Sequence, residues 1–187
     1  MTSLRCHVRK YKDFLDYCER LIGKPIYDFD KDPDKPFISA GQFKKIVSLL
    51  KSKKNIILEG APGVGKTFLT RKIAYQLIGE LKDENIEMVQ FHQSYSYEDF
   101  VQGIRPSEEG GFERKNGIFF DFCSKARRSP DQQFVFIIDE INRGNISKIL
   151  GELMMLIEAD KRKKQYAIKL TYSNEDDERF FVPKNVY

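Results

Sequence analysis

The sequence predicts an α/β fold of three layers, with helices on both faces of a parallel sheet and β-hairpin insertions. Two observations carry that prediction. The short apolar run Ile56, Ile57, Leu58 leads straight into Gly60-Ala61-Pro62-Gly63-Val64-Gly65-Lys66-Thr67, and a helical pattern opens at once. That is strand, phosphate-binding loop and helix in the order the chemistry requires. Residues 134–138, Phe-Val-Phe-Ile-Ile, form a continuous apolar run, as in a strand covered on both faces of a parallel sheet, and Asp139 and Glu140 follow it.

The remaining elements follow in chain order. Leu4, Val8, Tyr11, Leu15, Cys18 and Ile22 lie on one helical stripe, which Gly23 and Pro25 end. The stripe suits packing on its own domain or on a partner chain. Residues 24–38, with prolines at 25, 33 and 36 and four aspartates, read as an extended linker, so that 1–36 form a helix and linker ahead of a core at 37–187. Ser39 and Gln42 have capping-box spacing, and Phe43, Ile46, Val47 and Leu50 give the next helix its apolar side. Lys51, Lys53 and Lys54 suit that helix's C-terminal dipole.

After the loop, Leu69, Ile73, Ala74 and Leu77 predict a buried helix face ending near Glu80, and residues 88–92 a second strand. Residues 94–101 read as a capped helical turn. Asn116-Gly117 has the signature of a tight hairpin turn between residues 110 and 120. A helix with Phe119, Phe122, Cys123 and Ala126 stops at Ser129-Pro130. Ile146, Leu150, Leu153 and Ile157 predict one further helix, closed by the basic run 161–164. That run serves either as a dipole-matched helix end or as a nucleic-acid contact. Residues 166–172 and 179–182 read as a second hairpin.

Composition narrows the function classes. The 187 residues are 41% hydrophobic and 32% charged, which fits a soluble chain with a real core. No apolar run nears the roughly 20 residues of a membrane span, and the N-terminus lacks a signal-peptide core, so a cytoplasmic protein is expected. Three scattered cysteines and two histidines argue against a disulfide framework or a zinc site. A net charge of +4 permits nucleic acid without requiring it.

The chemistry sits in two places. Gly60, Gly63 and Gly65 allow the backbone to turn successive N–H groups toward one centre, and the following helix adds its N-terminal partial charge. Lys66 is placed to reach the outer phosphates and Thr67 to ligate Mg²⁺, with Ala61, Pro62, Val64 and Phe68 completing the loop. Asp139 suits the Mg²⁺ shell beside Thr67, and Glu140 suits orienting or deprotonating an attacking water.

Asp139-Glu140-Ile141-Asn142-Arg143, running into Gly151-Glu152-Leu153, resembles the Walker B region of the McrB-type NTPases of modification-dependent restriction systems, in the dynein-related and MoxR-like part of the AAA+ superfamily. The phosphate loop, residues 89–100 and residues 181–187 are similar to the same family. The resemblance covers residues 37–187 and implies a P-loop NTPase fold with an AAA+ core. It implies ATP or GTP with Mg²⁺ as ligands, a homo-oligomeric ring such as a hexamer, an McrC-like nuclease partner and DNA as a further partner. Asn142 then lies near a subunit interface, and Arg143 reaches a nucleotide bound next door.

In this family the pattern runs on past Tyr187 into a Thr-Met-Asn-Thr-x-Asp-Arg-Ser segment, with arginine fingers and a helical lid. Its strand lies between the phosphate-loop strand and the Walker B strand. The core is thus expected to be incomplete at its C-terminus, poorly stable alone and slow in hydrolysis. The resemblance leaves three readings open: a motor for DNA translocation, a MoxR-like remodelling ATPase, and a non-catalytic nucleotide-binding module.

Overall fold

The computed structural model describes residues 26–81 and 83–187. The helical stripe expected over residues 3–22 lies outside them. Helix α1 (Ala40–Lys53) begins as its capping signal predicts. The Gln42 N–H donates to Ser39 Oγ at 3.2 Å, and the Ser39 N–H donates to Gln42 Oε1 at 3.1 Å. Phe43, Val47 and Leu50, on one face, are buried, and Lys54 closes the helix in a left-handed conformation at φ 68°. Helix α2 (Lys66–Ile78) starts on Gly65 and ends on Gly79, both at positive φ, where glycine avoids the Cβ clash.

Strands β1 (Ile86–Gln90) and β4 (Val135–Asp139) pair in parallel, with Ile86 opposite Val135 and Gln90 opposite Asp139. The other edge of β4 is occupied too. The Phe134 N–H donates to Asn185 O, the Tyr187 N–H to Phe134 O, and the Phe136 N–H to Tyr187 O, each at 2.8 Å. Phe134 and Val186 form a parallel bridge. So β4 is central, between β1 and residues 185–187.

Alternation along β4 sends its side chains into two cores. Val135 and Ile137 join α1 and α2 through Phe43, Val47, Ile73 and Leu77. Phe134, Phe136 and Ile138 face the other way, toward Phe100, Phe119, Phe122 and Leu153. Helix α4 (Ile118–Arg128) supplies Phe119 and Phe122, whose rings meet Phe136 edge-on with centroids 5.0 and 5.2 Å apart. The parallel α/β class and the two covered faces are as the sequence predicts.

Several local expectations fail for nonlocal reasons. Residues 56–58 form no strand: among the described residues their backbone groups enter no ladder, and Ile57 is 75% exposed. The stretch read as a linker packs against the core instead. Tyr27 and Phe29 are buried with α1 and α2, and Phe29 stacks on Phe43 at 4.3 Å.

The first hairpin joins β2 (Gln102–Pro106) to β3 (Phe112–Asn116), and its turn is residues 107–111, not Asn116-Gly117. Gly110 and Gly111 take the positive φ values of 92° and 86° there, whereas Gly117 caps α4 at φ −85°. A Cβ on Gly117 would lie 2.4 Å from the carbonyl carbon of Phe100, the last residue of the short helix α3 (Tyr97–Phe100). That close approach explains the glycine.

The helix expected over 146–157 is broken. It divides into α5 (Ile146–Leu150) and α6 (Leu153–Leu156) at Gly151, whose φ of 48° and ψ of −128° cannot continue a helix. The second hairpin reduces to one antiparallel bridge, Ile168 to Phe180. Arg114 on β3 pairs with Asp177 and donates to Tyr172 O at 3.2 Å, tying the two insertions together.

Candidate functional site

The phosphate loop occupies residues 60–67, between the unpaired entry segment and α2. Gly63 and Gly65 both stand at φ 78°, a conformation that costs other L-residues about 1 kcal/mol or more. Gly60 does not share it, so of the three glycines two are used for their conformational freedom. Lys66 opens α2 and folds back over the loop, its Nζ donating to Gly60 O and Ala61 O at 2.8 Å each. Pro62 and Val64 lie on the exposed outer loop, with Val64 63% exposed.

The second half of the site comes from the carboxyl end of β4. Thr67 Oγ1 donates to Asp139 Oδ2 at 3.2 Å, joining positions 72 residues apart. Asp139 Oδ1 accepts from the Glu140 N–H at 3.0 Å. Glu140 has a left-handed backbone at φ 51° and ψ 41°, rare for a residue with a Cβ and typical of functional turns. Its carboxylate pairs with Arg143 Nε at 3.0 Å, and its carbonyl accepts from the Arg143 N–H at 2.9 Å. The structure thus brings Thr67, the neighbour of Lys66, onto Asp139, the neighbour of Glu140; the Lys66 amine lies on the loop carbonyls, and Arg143 pairs with Glu140 of its own chain.

Beside them, Asn142 and Arg143 line an open cleft with His92, Gln93 and Ser94. The three-residue 3₁₀ turn Ile141–Arg143 presents the first two, and the chain leaving β1 presents the others. Sequence reasoning did not assign His92, Gln93 and Ser94 to the site. Their position two to four residues past the end of a strand adjacent to β4 was the available signal, because ligands collect at carboxyl strand ends.

Phe68 lies on the first turn of α2 with its ring 5.0 Å from Lys72 Nζ, a cation–π arrangement. Lys72 in turn pairs with Asp32 at 2.6 Å, their side chains only 13% and 7% exposed. Tyr27 also donates to Asp32 at 2.9 Å. Burial works to raise the Asp32 carboxyl, but the bonds from Lys72 and Tyr27 outweigh it and hold the group below the usual aspartate range. The residues ahead of α1 therefore anchor the helix that carries Lys66 and Thr67.

These groups fit a polyphosphate with Mg²⁺. The Thr67 hydroxyl follows Lys66 at a helix N-terminus, and the Asp139 carboxylate stands 3.2 Å from that hydroxyl. Among the described residues no three His, Cys, Asp or Glu side chains gather into a cage of their own. That donor set suits Mg²⁺, which keeps waters and shares its shell with phosphates.

Comparison with known proteins follows the same line. Residues 55–183 match the AAA domain family of the dynein-related subfamily. The chain is 56% identical over 151 residues to the type IV methyl-directed restriction enzyme EcoKMcrB subunit of Escherichia coli (strain K12), covering 81% of this chain and 33% of that protein. It is 27% identical over 150 residues to the type II restriction enzyme BsuMI component YdiS of Bacillus subtilis (strain 168), covering 65% of this chain and 42% of that protein. The chain thus spans 33% of the length of the first relative and 42% of the second. It belongs to the AAA domain family, dynein-related subfamily, as a McrB-type AAA+ core.

Proposed function

We infer that this chain binds a nucleoside triphosphate, ATP or GTP, together with Mg²⁺, and is the NTPase core of an McrB-like subunit. The observation that carries this reading is the Thr67–Asp139 contact at 3.2 Å beside Lys66. Two motifs far apart in sequence meet at the carboxyl end of β4, which supports a shared site for Mg²⁺ and phosphate. Gly60, Ala61, Pro62, Gly63, Val64, Gly65 and Phe68 enclose the phosphates, and Lys66 turns from the loop carbonyls to the outer ones. Thr67 and Asp139 hold Mg²⁺, which supplies charge neutralisation at the phosphates. Glu140 orients the attacking water once Arg143 releases it. Arg143 and Asn142 face a neighbouring subunit in a homo-oligomeric ring.

In this reading hydrolysis powers DNA translocation for an McrC-like nuclease of a modification-dependent restriction system. The names of the two restriction-enzyme relatives support that setting. Competition of unlabelled ATP and GTP against a fluorescent nucleotide tests the ligand. Displacement by one at micromolar levels and by the other only far above that assigns it, and no displacement by either contradicts the reading.

A second reading, MoxR-like protein remodelling, draws on a different observation. Exposed Glu108 and Glu109 at one hairpin turn, with exposed Asp176 and Glu178 at the other, are ill placed to meet a phosphate backbone. Stimulation of turnover by DNA favours the first reading, and stimulation by an unfolded protein alone favours the second.

A further inference from the structure

Arg162 is a cation that the reading above leaves unused. It stands within the basic run 161–164, where a helix-end charge or a nucleic-acid contact was expected; it is 3% exposed and takes the first role from a buried position, on the carbonyl of Ile157 that caps α6. Its guanidinium meets backbone carbonyls. Nε and Nη2 donate to Ile157 O at 2.9 and 2.8 Å, Nη1 donates to Val186 O, and Nη2 lies 3.5 Å from Lys54 O. The neighbouring Cys123 thiol is fully buried, and burial pushes its pKa up, so it supplies no counter-charge. Burial also pulls the Arg162 pKa down to about 10. A desolvated guanidinium of this kind is costly, and carbonyl dipoles from three chain segments are what offset it.

Those three segments surround the entry to the phosphate loop. Lys54 closes α1 immediately before it, Ile157 caps α6, and Val186 is the bridge partner of Phe134, next to β4. Asn55 Nδ2 donates to the same Ile157 carbonyl at 2.7 Å. Lys54 Nζ donates to the Tyr187 hydroxyl at 2.9 Å. Residues 56–58 enter no ladder among the described residues; Ile56 and Leu58 pack on the core of α1, α2 and β4, and these side-chain bonds add to that packing by tying the entry to the segments beside β4.

We propose that Arg162, together with Asn55, is a positioning residue for the phosphate loop, clamping the chain that enters the loop to the segments beside β4. Its consequence for ligand affinity rests on the nucleotide-binding reading. The position itself does not.

The test therefore uses two readouts on the full chain: trypsin cleavage mapped by mass spectrometry, and titration with a fluorescent Mg·nucleotide. The variants are Asn55→Ala, which alters an exposed side chain, Arg162→Lys and Arg162→Met. Cleavage after Lys53 and Lys54 is expected to accelerate about fivefold in Asn55→Ala, as loss of one hydrogen bond implies, while cleavage after Lys115 and Arg128 keeps the parent rate. Nucleotide affinity is expected to fall by about the same factor, with Arg162→Lys between the parent and Arg162→Met.

Unchanged cleavage at Lys54, or faster cleavage at every site in parallel, overturns the proposal, since the latter marks a purely structural staple. If Lys54 alone is exposed while no protein binds nucleotide, the clamp stands and the nucleotide reading falls. If Lys66→Ala abolishes binding while Asn55→Ala changes neither readout, the clamp falls and the nucleotide reading stands.

Discussion

Residues 56–58 and residues 134–138 are both short apolar runs that end at a functional motif, yet only the second is a strand. β4 has a partner on each edge and a core on each face. The entry to the phosphate loop has no ladder partner among the described residues, and Ile57 faces outward. The difference teaches that strand propensity is mostly a readiness to be paired and covered. It also divides the site into a rigid half, Asp139 and Glu140 at the end of β4, and a half held by the packing of Ile56 and Leu58, by side-chain bonds and by α2.

The largest test of that division is Phe134→Ala. Phe134 is 1% exposed and meets the Phe122 ring at 5.8 Å, so truncation should lower the stability of the chain by about 4 kcal/mol in urea unfolding. A loss near that of a surface site would mean that β4 is not the rigid half.

Next is Asp32→Ala, which strands Lys72 in an enclosed position and should cost about 3 kcal/mol. The same pair predicts an acid limb. The folded carboxyl lies below its unfolded value, so its contribution is present above about pH 4 and is lost as pH falls through the folded pKa. Asp32→Ala should flatten that part of the stability profile, and an unaltered profile would remove Asp32 from the account.

Glu140→Gly probes the strain in the rigid half. Relief of the left-handed backbone should raise stability by about 1 kcal/mol while removing any turnover the chain has. A destabilised variant would mean that the Arg143 pair outweighs the strain. Smallest of all, Ile57→Thr should change stability by less than about 0.5 kcal/mol, because the side chain is 75% exposed. A larger loss would show the entry segment to be covered in solution.

What was legible in the sequence was local. The capping box at Ser39, the glycine pair at Gly63 and Gly65, the stop after Arg128 and the apolar run ending in Asp139 each announce themselves within a few residues, and each is in place. What was illegible depends on distant partners. Tyr27 and Phe29 look like linker until Phe43 is found beside them. Arg162 looks like one of four surface cations until Ile157 and Val186 converge on it. Gly151 resembles any helix glycine, and only its backbone angles reveal the break. Thr67 and Asp139 were assigned from two motifs, and the 3.2 Å contact is the geometric fact that joins them.

The central claim is that residues 60–67 and Asp139 form one Mg·nucleotide site, and its most direct measurement is a titration of parent and Lys66→Ala with a fluorescent nucleoside triphosphate, with and without EDTA. The account predicts saturable, EDTA-sensitive binding by the parent and none by Lys66→Ala, at unchanged circular dichroism. Equal affinity in the two proteins would contradict it.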